Sequence, residues 1–369
     1  MEETAHTPEE SGSPRRIVRD GGDLIETLVD EERFREYLRR TFGEADRYGI
    51  EHLETGHSNE TLFVQWGERD FVLRRPPTGE TAETAHDVLR EHRIMSALRD
   101  TDIPVPTPVT ACEDVSVIGS EFYLMERLDG TVIRTEEPDR FADPTSRQRI
   151  AEELVDTLAA IHTVDYEAVG LGDLGRPEGF LERQIDRWSS QFEWAAKTTH
   201  SVREVPHVDE IESWLRANVP EQSEHTLVHG DYKLDNVLYG ASEEPELIAV
   251  VDWEIGTVGD PLRDIGWLLC FWDVDPLIED LMPTFLDRPG YPDRAALLDR
   301  YERQSGVEVT NLDFYVALGL YMLTAVCEMF YARYLEGESD DPLYPQMETR
   351  VPEITRRSKA ILSGDRAVL

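Results

Sequence analysis

Lysine is almost missing from this 369-residue chain, occurring only at positions 197, 233 and 359, so that arginine carries nearly all of the positive charge. Basic residues are themselves scarce, 37 against 76 acidic ones, for a net charge of -39. That balance excludes nucleic acid as a partner, because its phosphates would be repelled. The acids are spread along the whole chain rather than gathered in one segment, which favours a solvated anionic shell over a field built for one cationic ligand. An acidic, lysine-poor surface fits a protein of a salt-loving organism, whose salty cytoplasm screens the self-repulsion. Cysteine is also rare. Cys112, Cys270 and Cys327 lie far apart without metal-ligand spacing, which predicts free, buried thiols in a reducing compartment. The longest apolar run, FYVALGLYMLTAVC at 314–327, is short for a bilayer span and reads as a buried core helix. The first residues, MEETAHTPEESGSP, are acidic and polar, unlike a signal peptide. A cytoplasmic protein with no membrane partner is expected.

What the chain does hold is 40% apolar residues, enough for one large domain or two lobes. Residues 1–20, rich in Glu, Ser, Thr and Pro, are expected to be a disordered acidic tail. An amphipathic helix is predicted over 30–41, strands within 53–67 and 69–77, and a helix over 84–100. IPVPTPV at 103–109 is an extended link, and EFYLMERLDG at 121–130 a buried strand running into a turn. Beyond it, helical periodicity covers 145–163, 180–197, 208–217, 261–272, 293–305, 312–336 and 351–362, interrupted by short strand pairs around 227–252. The expected architecture is α+β and two-lobed. A small β-rich lobe spans 21–126 and a larger, mostly helical lobe 127–369, with a cleft between them and a hinge at 126–130.

The densest chemistry lies in LVHGDYKLDNVLYG at 227–240, where His229, Asp231, Lys233 and Asn236 crowd a loop between two apolar runs. LIAVV follows as a short strand with Asp252 at its end, and Asp260-Pro261 is a good helix start. Two neighbouring strands ending near Asp231 and at Asp252 would gather both carboxylates and Asn236 at one point. Asn236 and Asp252 offer the hard oxygens that suit Mg²⁺, which prefers a few protein ligands plus phosphates and water. Asp231 is then left to orient a substrate hydroxyl and accept its proton. A base beside two metal-holding groups is what phosphoryl transfer from a nucleotide requires.

H-G-D-x4-N followed by a strand-end Asp resembles the catalytic and metal loops of the aminoglycoside phosphotransferase-like kinases, which have a protein-kinase-like fold. The resemblance runs from about residue 45 to the C-terminus. It is closest to the kinase-like portions of certain animal acyl-CoA dehydrogenases, which share HGDY-x-LDN, DWE and VLR-x-PP, here residues 229–236, 252–254 and 72–77. It implies Asp231 as catalytic base, Asn236 and Asp252 as Mg²⁺ ligands and His229 as a support of the loop. Asp260 and Asp264, in GDPLRDIG, would buttress that loop. Lys233 stands where protein kinases carry a lysine that neutralises the transferring phosphoryl group, and an exposed loop lysine is the plainer alternative.

In the N-terminal lobe, ETGHSNETLF at 54–63 is a candidate turn over the phosphates, with Gly56, Ser58 and Asn59 as donors, although a simple hairpin reads equally well. FVLR at 71–74 takes the place of the kinase lysine strand. Val72 and Arg74 share one face there, an apolar roof for adenine and a phosphate-binding cation. Glu91 on the next helix would pair with Arg74, or serve as an ordinary surface charge. The backbone of Met125, Glu126 and Leu128 would read the adenine edge. Trp188, Phe192, Trp194, His162, Tyr321, Glu328 and Tyr331 are read as packing residues. The function implied is phosphoryl transfer from ATP, or GTP, with Mg²⁺, to a hydroxyl of a small acceptor: a hydroxyacyl-CoA, or an aminoglycoside or other amino sugar. A nucleotide-binding pseudokinase that regulates a partner is the alternative. A protein kinase is disfavoured by the short stretch between Asp252 and the next helix. The acceptor and oligomeric state stay open.

Overall fold

The computed structural model describes residues 15–18, 22–53, 59–77, 87–221 and 224–369, which divide into two compact units. Gly56 and Ser58, two of the candidate phosphate donors, lie outside the described residues.

The first unit comprises residues up to 99 together with 106–128. Its elements in order are β1 (Arg15–Val18), α1 (Gly22–Leu28), α2 (Glu31–Phe42), β2 (Arg47–His52), β3 (Glu60–Trp66), β4 (Arg69–Arg75), α3 (Val88–Leu98), β5 (Pro108–Cys112) and β6 (Phe122–Glu126). They build a six-stranded sheet of order β1-β2-β3-β4-β6-β5, antiparallel except for the parallel β1–β2 pair. β1 therefore gives residues 15–18 a place in the sheet, where composition alone indicated only a tail. The period-2 alternation of β3 and β4 sorts the sheet's two faces. Leu62, Val64 and Trp66 with Phe71 and Leu73 form the core face, packed with Phe34 and Leu38 of α2 and with Ile25 and Leu28 of α1. Asp30 starts α2 by accepting the Arg33 N–H at 3.2 Å, and Gly43 ends it. Arg75 turns onto the core face, is 5% exposed, and donates to the carbonyls of Leu28, the last residue of α1, and of Ile118. A cation on the final carbonyl of a helix offsets its negative end.

The second unit comprises residues 100–105 and 129–369. Its elements are β7 (Gly130–Thr131), α4 (Pro144–Thr163), α5 (Phe180–Thr199), α6 (Val208–Ala217), β8 (Thr226–Val228), β9 (Val237–Gly240), β10 (Leu247–Val250), β11 (Thr257–Gly259), α7 (Leu262–Phe271), α8 (Arg294–Ser305), α9 (Leu312–Glu336) and α10 (Met347–Leu362). Two small sheets carry the loops that matter: β10-β9-β7, and the antiparallel pair β11-β8. The strands that end at the candidate loops, β8 and β10, thus belong to different sheets and are not neighbours in one ladder. Among the described residues, α9 is the helix whose length and apolarity would match a bilayer, and 89% of its most apolar stretch is buried inside the protein. α10 begins four residues before the position that its periodicity suggested. Pro352 has no N–H to give to the Glu348 carbonyl. Arg203 supplies a donor to that oxygen instead, at 2.7 Å, and also donates to the Met347 carbonyl at 3.0 Å.

α7 is wholly buried, with the charged pair Arg263 and Asp264 in its first turn and apolar residues beyond them. It packs against α9 through glycines on both helices. A Cβ at Gly266 would overlap the Tyr315 backbone carbonyl, and one at Gly319 would come within 2.7 Å of the Cys270 sulfur. Because backbone stands in the way at Gly266, Gly266→Ala is expected to cost about 1–3 kcal/mol. The loss should show as a lower denaturant midpoint at unchanged slope.

Candidate active site

The loop from His229 to Asn236 connects β8 to β9 and is fastened from three sides. Gly230 has φ +91° and no room for a side chain, since a Cβ would lie 2.7 Å from Ile255. The Asp264 carboxylate, fully buried on α7, accepts the N–H of His229 at 2.7 Å and of Gly230 at 2.9 Å. It also meets the Arg263 guanidinium at 3.1 Å and His162 Nε2 at 3.4 Å, and the other nitrogen of His162 lies 2.7 Å from the Tyr301 hydroxyl. Burial alone would raise the Asp264 pKa, but the His162 hydrogen bond and the Arg263 charge outweigh it and hold it at about 2. Arg263 reaches on to the Gly230 carbonyl. Tyr232 anchors the loop to α4 by donating to the Leu154 carbonyl at 2.7 Å.

His229 is fixed in one tautomer. Its Nδ1 accepts the Asp231 N–H at 3.1 Å, so Nε2 must carry the proton that it donates to the Val251 carbonyl at 2.9 Å. Burial keeps its pKa below the ordinary histidine value. The imidazole therefore bridges from the loop to the end of β10. The Val251 N–H returns to the Asn236 carbonyl at 2.9 Å, which sets Asp252 beside the loop although their strands lie in separate sheets. Asp252 has φ +66°, a left-handed backbone that non-glycine residues seldom adopt, and such positions cluster at functional sites.

Asp231 is half-buried and gripped by three side chains. Lys233 Nζ donates to Oδ2 at 2.6 Å, Asn236 Nδ2 to the same oxygen at 2.7 Å, and Trp267 Nε1 to Oδ1 at 2.7 Å. Burial would raise the Asp231 pKa, but the Lys233 ammonium and the Asn236 amide lower it below the usual carboxylate value. Asn236 Nδ2 also donates to the Asp231 carbonyl at 2.7 Å. Both of its neighbours are pure acceptors, so the amide nitrogen must face them and the amide oxygen is turned the other way. An amide oxygen and the Asp252 carboxylate are donors that fit Mg²⁺, provided phosphates and water complete the shell. Among the described residues, no group of three or more His, Cys, Asp and Glu side chains forms a metal cluster of its own.

In the first unit, the face of the sheet opposite the core carries the other candidates. Arg74 and Thr61 are cross-strand partners, joined at 2.9 Å, and Arg74 lies 3.5 Å from Glu91 of α3, whose side chain is 2% exposed. Val72 and Met125 are paired directly across β4 and β6 on that same face. Asn59 is buried at the start of β3. The N–H groups of Glu126 and Arg127 are already used, donating to the carbonyls of Thr107 at 2.9 Å and Asp70 at 3.2 Å. Any reading of a nucleotide edge by residues 125–128 therefore cannot use those two donors.

Sequence reasoning missed Trp267. The signal was there, because Trp267 lies three residues after Asp264, one turn along α7 on the same face, where both side chains must meet the same loop. Asp260 departs from its expected part. It accepts the Leu262 N–H at 2.9 Å and the Tyr315 hydroxyl at 2.8 Å, tying the start of α7 to α9 rather than holding the loop. Trp188 and Phe192 are packed in the interior and Trp194 is exposed, while Tyr321 donates to Glu212 and Glu328 pairs with Arg203.

A β-rich unit and a helical unit bearing this loop have the plan of the kinase-like folds. The chain belongs to the phosphotransferase enzyme family, APH, whose pattern it matches over residues 49–300. Acyl-CoA dehydrogenase family member 11 of Rattus norvegicus is 34% identical over 295 residues, 79% of this chain and 37% of that protein. The chain thus spans little more than a third of that relative's length. A candidate aminoglycoside phosphotransferase of Ralstonia eutropha superposes with a TM-score of 0.76 at 28% identity, covering 91% of this chain and 99% of the other. The GDP complex of aminoglycoside 2'-phosphotransferase-IIIa shares the fold at 15% identity, with a TM-score of 0.60 over 89% of this chain and 99% of the other.

Because Asp264 titrates at about 2 when folded, against 3.8 ordinarily, its stabilising effect is complete above about pH 4 and is lost as pH falls through 2. Asp264→Asn should therefore lower stability by about 2 kcal/mol near neutral pH, with the deficit shrinking between about pH 4 and pH 2. Denaturant titrations of both proteins across that range provide the check.

Proposed function

We propose that the chain transfers the γ-phosphoryl group of ATP, with GTP as a second possible donor, to a hydroxyl of a small acceptor. The observation that carries this reading is the Asp231 carboxylate, held by Lys233 and Asn236 on one oxygen and by Trp267 on the other. In this reading Asp231 orients the acceptor hydroxyl and takes its proton as the new O–P bond forms. Asn236, through the oxygen turned away from Asp231, and Asp252 would hold Mg²⁺, which when bound neutralises phosphate charge. Arg74, fixed by Glu91, supplies a phosphate-binding cation, and Val72 and Met125 an apolar surface for the base. Lys233 balances charge at the transferring group and keeps Asp231 in place. The family and the GDP-bound relative support nucleotide use.

The likeness to acyl-CoA dehydrogenase family members makes a hydroxyacyl-CoA the preferred acceptor class of this reading, with an aminoglycoside or other amino sugar, suggested by the wider family, as the second. The acidic composition supports a salty cytoplasm as the working environment.

The test is ADP release from Mg-ATP at high KCl, without acceptor, with hydroxyacyl-CoAs and with an aminoglycoside panel. Release that depends on a hydroxyacyl-CoA and falls about 10²–10⁴-fold in Asp231→Asn is expected. Nucleotide binding without release under any acceptor would turn the reading towards a pseudokinase, and absence of nucleotide binding would end it. Arg74→Ala should raise the nucleotide KM at least about tenfold, a loss that Arg74→Lys restores only in part because the planar fork to Thr61 and Glu91 is gone.

A further inference from the structure

The three donors on Asp231 are distributed unequally. A carboxylate oxygen accepts about two hydrogen bonds. Oδ2 has both of its partners, Lys233 at 2.6 Å and Asn236 at 2.7 Å, whereas among the described residues Oδ1 has the Trp267 indole alone, at 2.7 Å. Trp267 is 6% exposed and is itself wedged, with the Arg263 guanidinium 5.9 Å from its ring and Phe271 5.1 Å away. Its backbone belongs to the buried helix that holds the loop through Asp264, so the indole cannot shift without disturbing α7. A planar ring with a single donor, locked by packing, fixes the twist of the carboxylate more tightly than a mobile hydroxyl or water would.

Resting on the reading of Asp231 as the base, we infer that Trp267 is a positioning residue that aims the remaining lone pair of Asp231 Oδ1 at the acceptor hydroxyl. Oδ1 is then the atom that receives the proton. As the acceptor oxygen bonds to the γ-phosphorus, the bond from that phosphorus to the β,γ-bridging oxygen breaks, the hydroxyl proton passes to Oδ1, and the nucleoside diphosphate leaves. Lys233 and Asn236 hold Oδ2 and leave it no capacity for this task. Neither the family match nor the similar proteins assign a part to this tryptophan.

Two measurements on the purified full chain test this. The first is the ¹H–¹⁵N spectrum of the indole groups, in which the Trp267 peak is the one absent from Trp267→Phe. In Asp231→Asn, which keeps the shape of the side chain but removes its charge, that peak should move upfield more than any other tryptophan's. The second is turnover of Mg-ATP with water as the acceptor. Trp267→Phe, which retains a ring but loses the donor, should lower kcat at least about tenfold, the scale of one hydrogen bond to a charged group, while its nucleotide KM stays within about twofold. A Trp267 peak that stays in place in Asp231→Asn overturns the inference, and so does a Trp267→Phe protein with wild-type kcat. The indole shift decides alone if turnover to water is too slow to measure, and Trp267→Tyr assigns the peak if Trp267→Phe fails to fold. Wild-type turnover by Asp231→Asn would instead overturn the assignment of the base, a result that Trp267→Phe cannot mimic.

Discussion

Everything at the candidate site hangs from one buried carboxylate. Asp264 accepts two consecutive backbone N–H groups of the loop, from His229 and Gly230, while Arg263 and His162 compensate its charge. Taking a carboxylate out of water is tolerated only when its lone pairs are filled, and here they are. Two adjacent amides pointing at one acceptor require the backbone to turn sharply, which is why the next torsions demand glycine at position 230. From that turn the chain presents Asp231 outward, and the neutral His229 bridges to Val251 and so places Asp252. The site is thus a consequence of α7, whose depth in the second unit depends in turn on the Gly266–Tyr315 and Gly319–Cys270 approaches to α9.

Much of this was legible in the sequence. Helices announced themselves by period and caps: α6 and α9 fall where the apolar spacing put them, and α5 and α8 within a residue or two. The α+β, two-lobed plan followed from the order of strands and helices, and the kinase-like class from the family resemblance carried by Asp231, Asn236 and Asp252. Less visible were the links that no local pattern encodes. β1 and β2 carry few strand signals of their own, and β1 becomes a strand because β2 offers it an edge. The separation of β8 and β10 into two sheets was equally hidden, because three- and four-residue ladders leave no periodicity to read. Arg75 has a residue type that gives no hint of burial, yet the period-2 rule applied to β4 sends it into the core, where the last carbonyl of α1 needs a donor. Trp267 is a different kind of omission: in the apolar stretch of α7 a tryptophan reads as filling, and only its place one turn after Asp264 marks it as facing the loop.

The composition sharpens the meaning of the lysine that remains. Lys197 is exposed, and Lys359 makes an exposed pair with Glu210, so neither position constrains the choice of cation. Lys233 is different: it is 9% exposed, its ammonium lies 2.6 Å from Asp231 Oδ2, and it stands 5.5 Å from the centre of the Phe271 ring. An arginine there would bring a planar fork with five donors to a carboxylate oxygen that already accepts from Asn236, and its bulk would press on Phe271. A compact point charge on a flexible stem meets one lone pair and leaves the other to the amide. At Arg74 the demand is the opposite, because Thr61 and Glu91 stand on different sides of the side chain and a planar fork can reach both. The chain's general preference for arginine is therefore obeyed where the geometry welcomes a fork and set aside where it requires a point, and the exception falls on the residue that touches the candidate base.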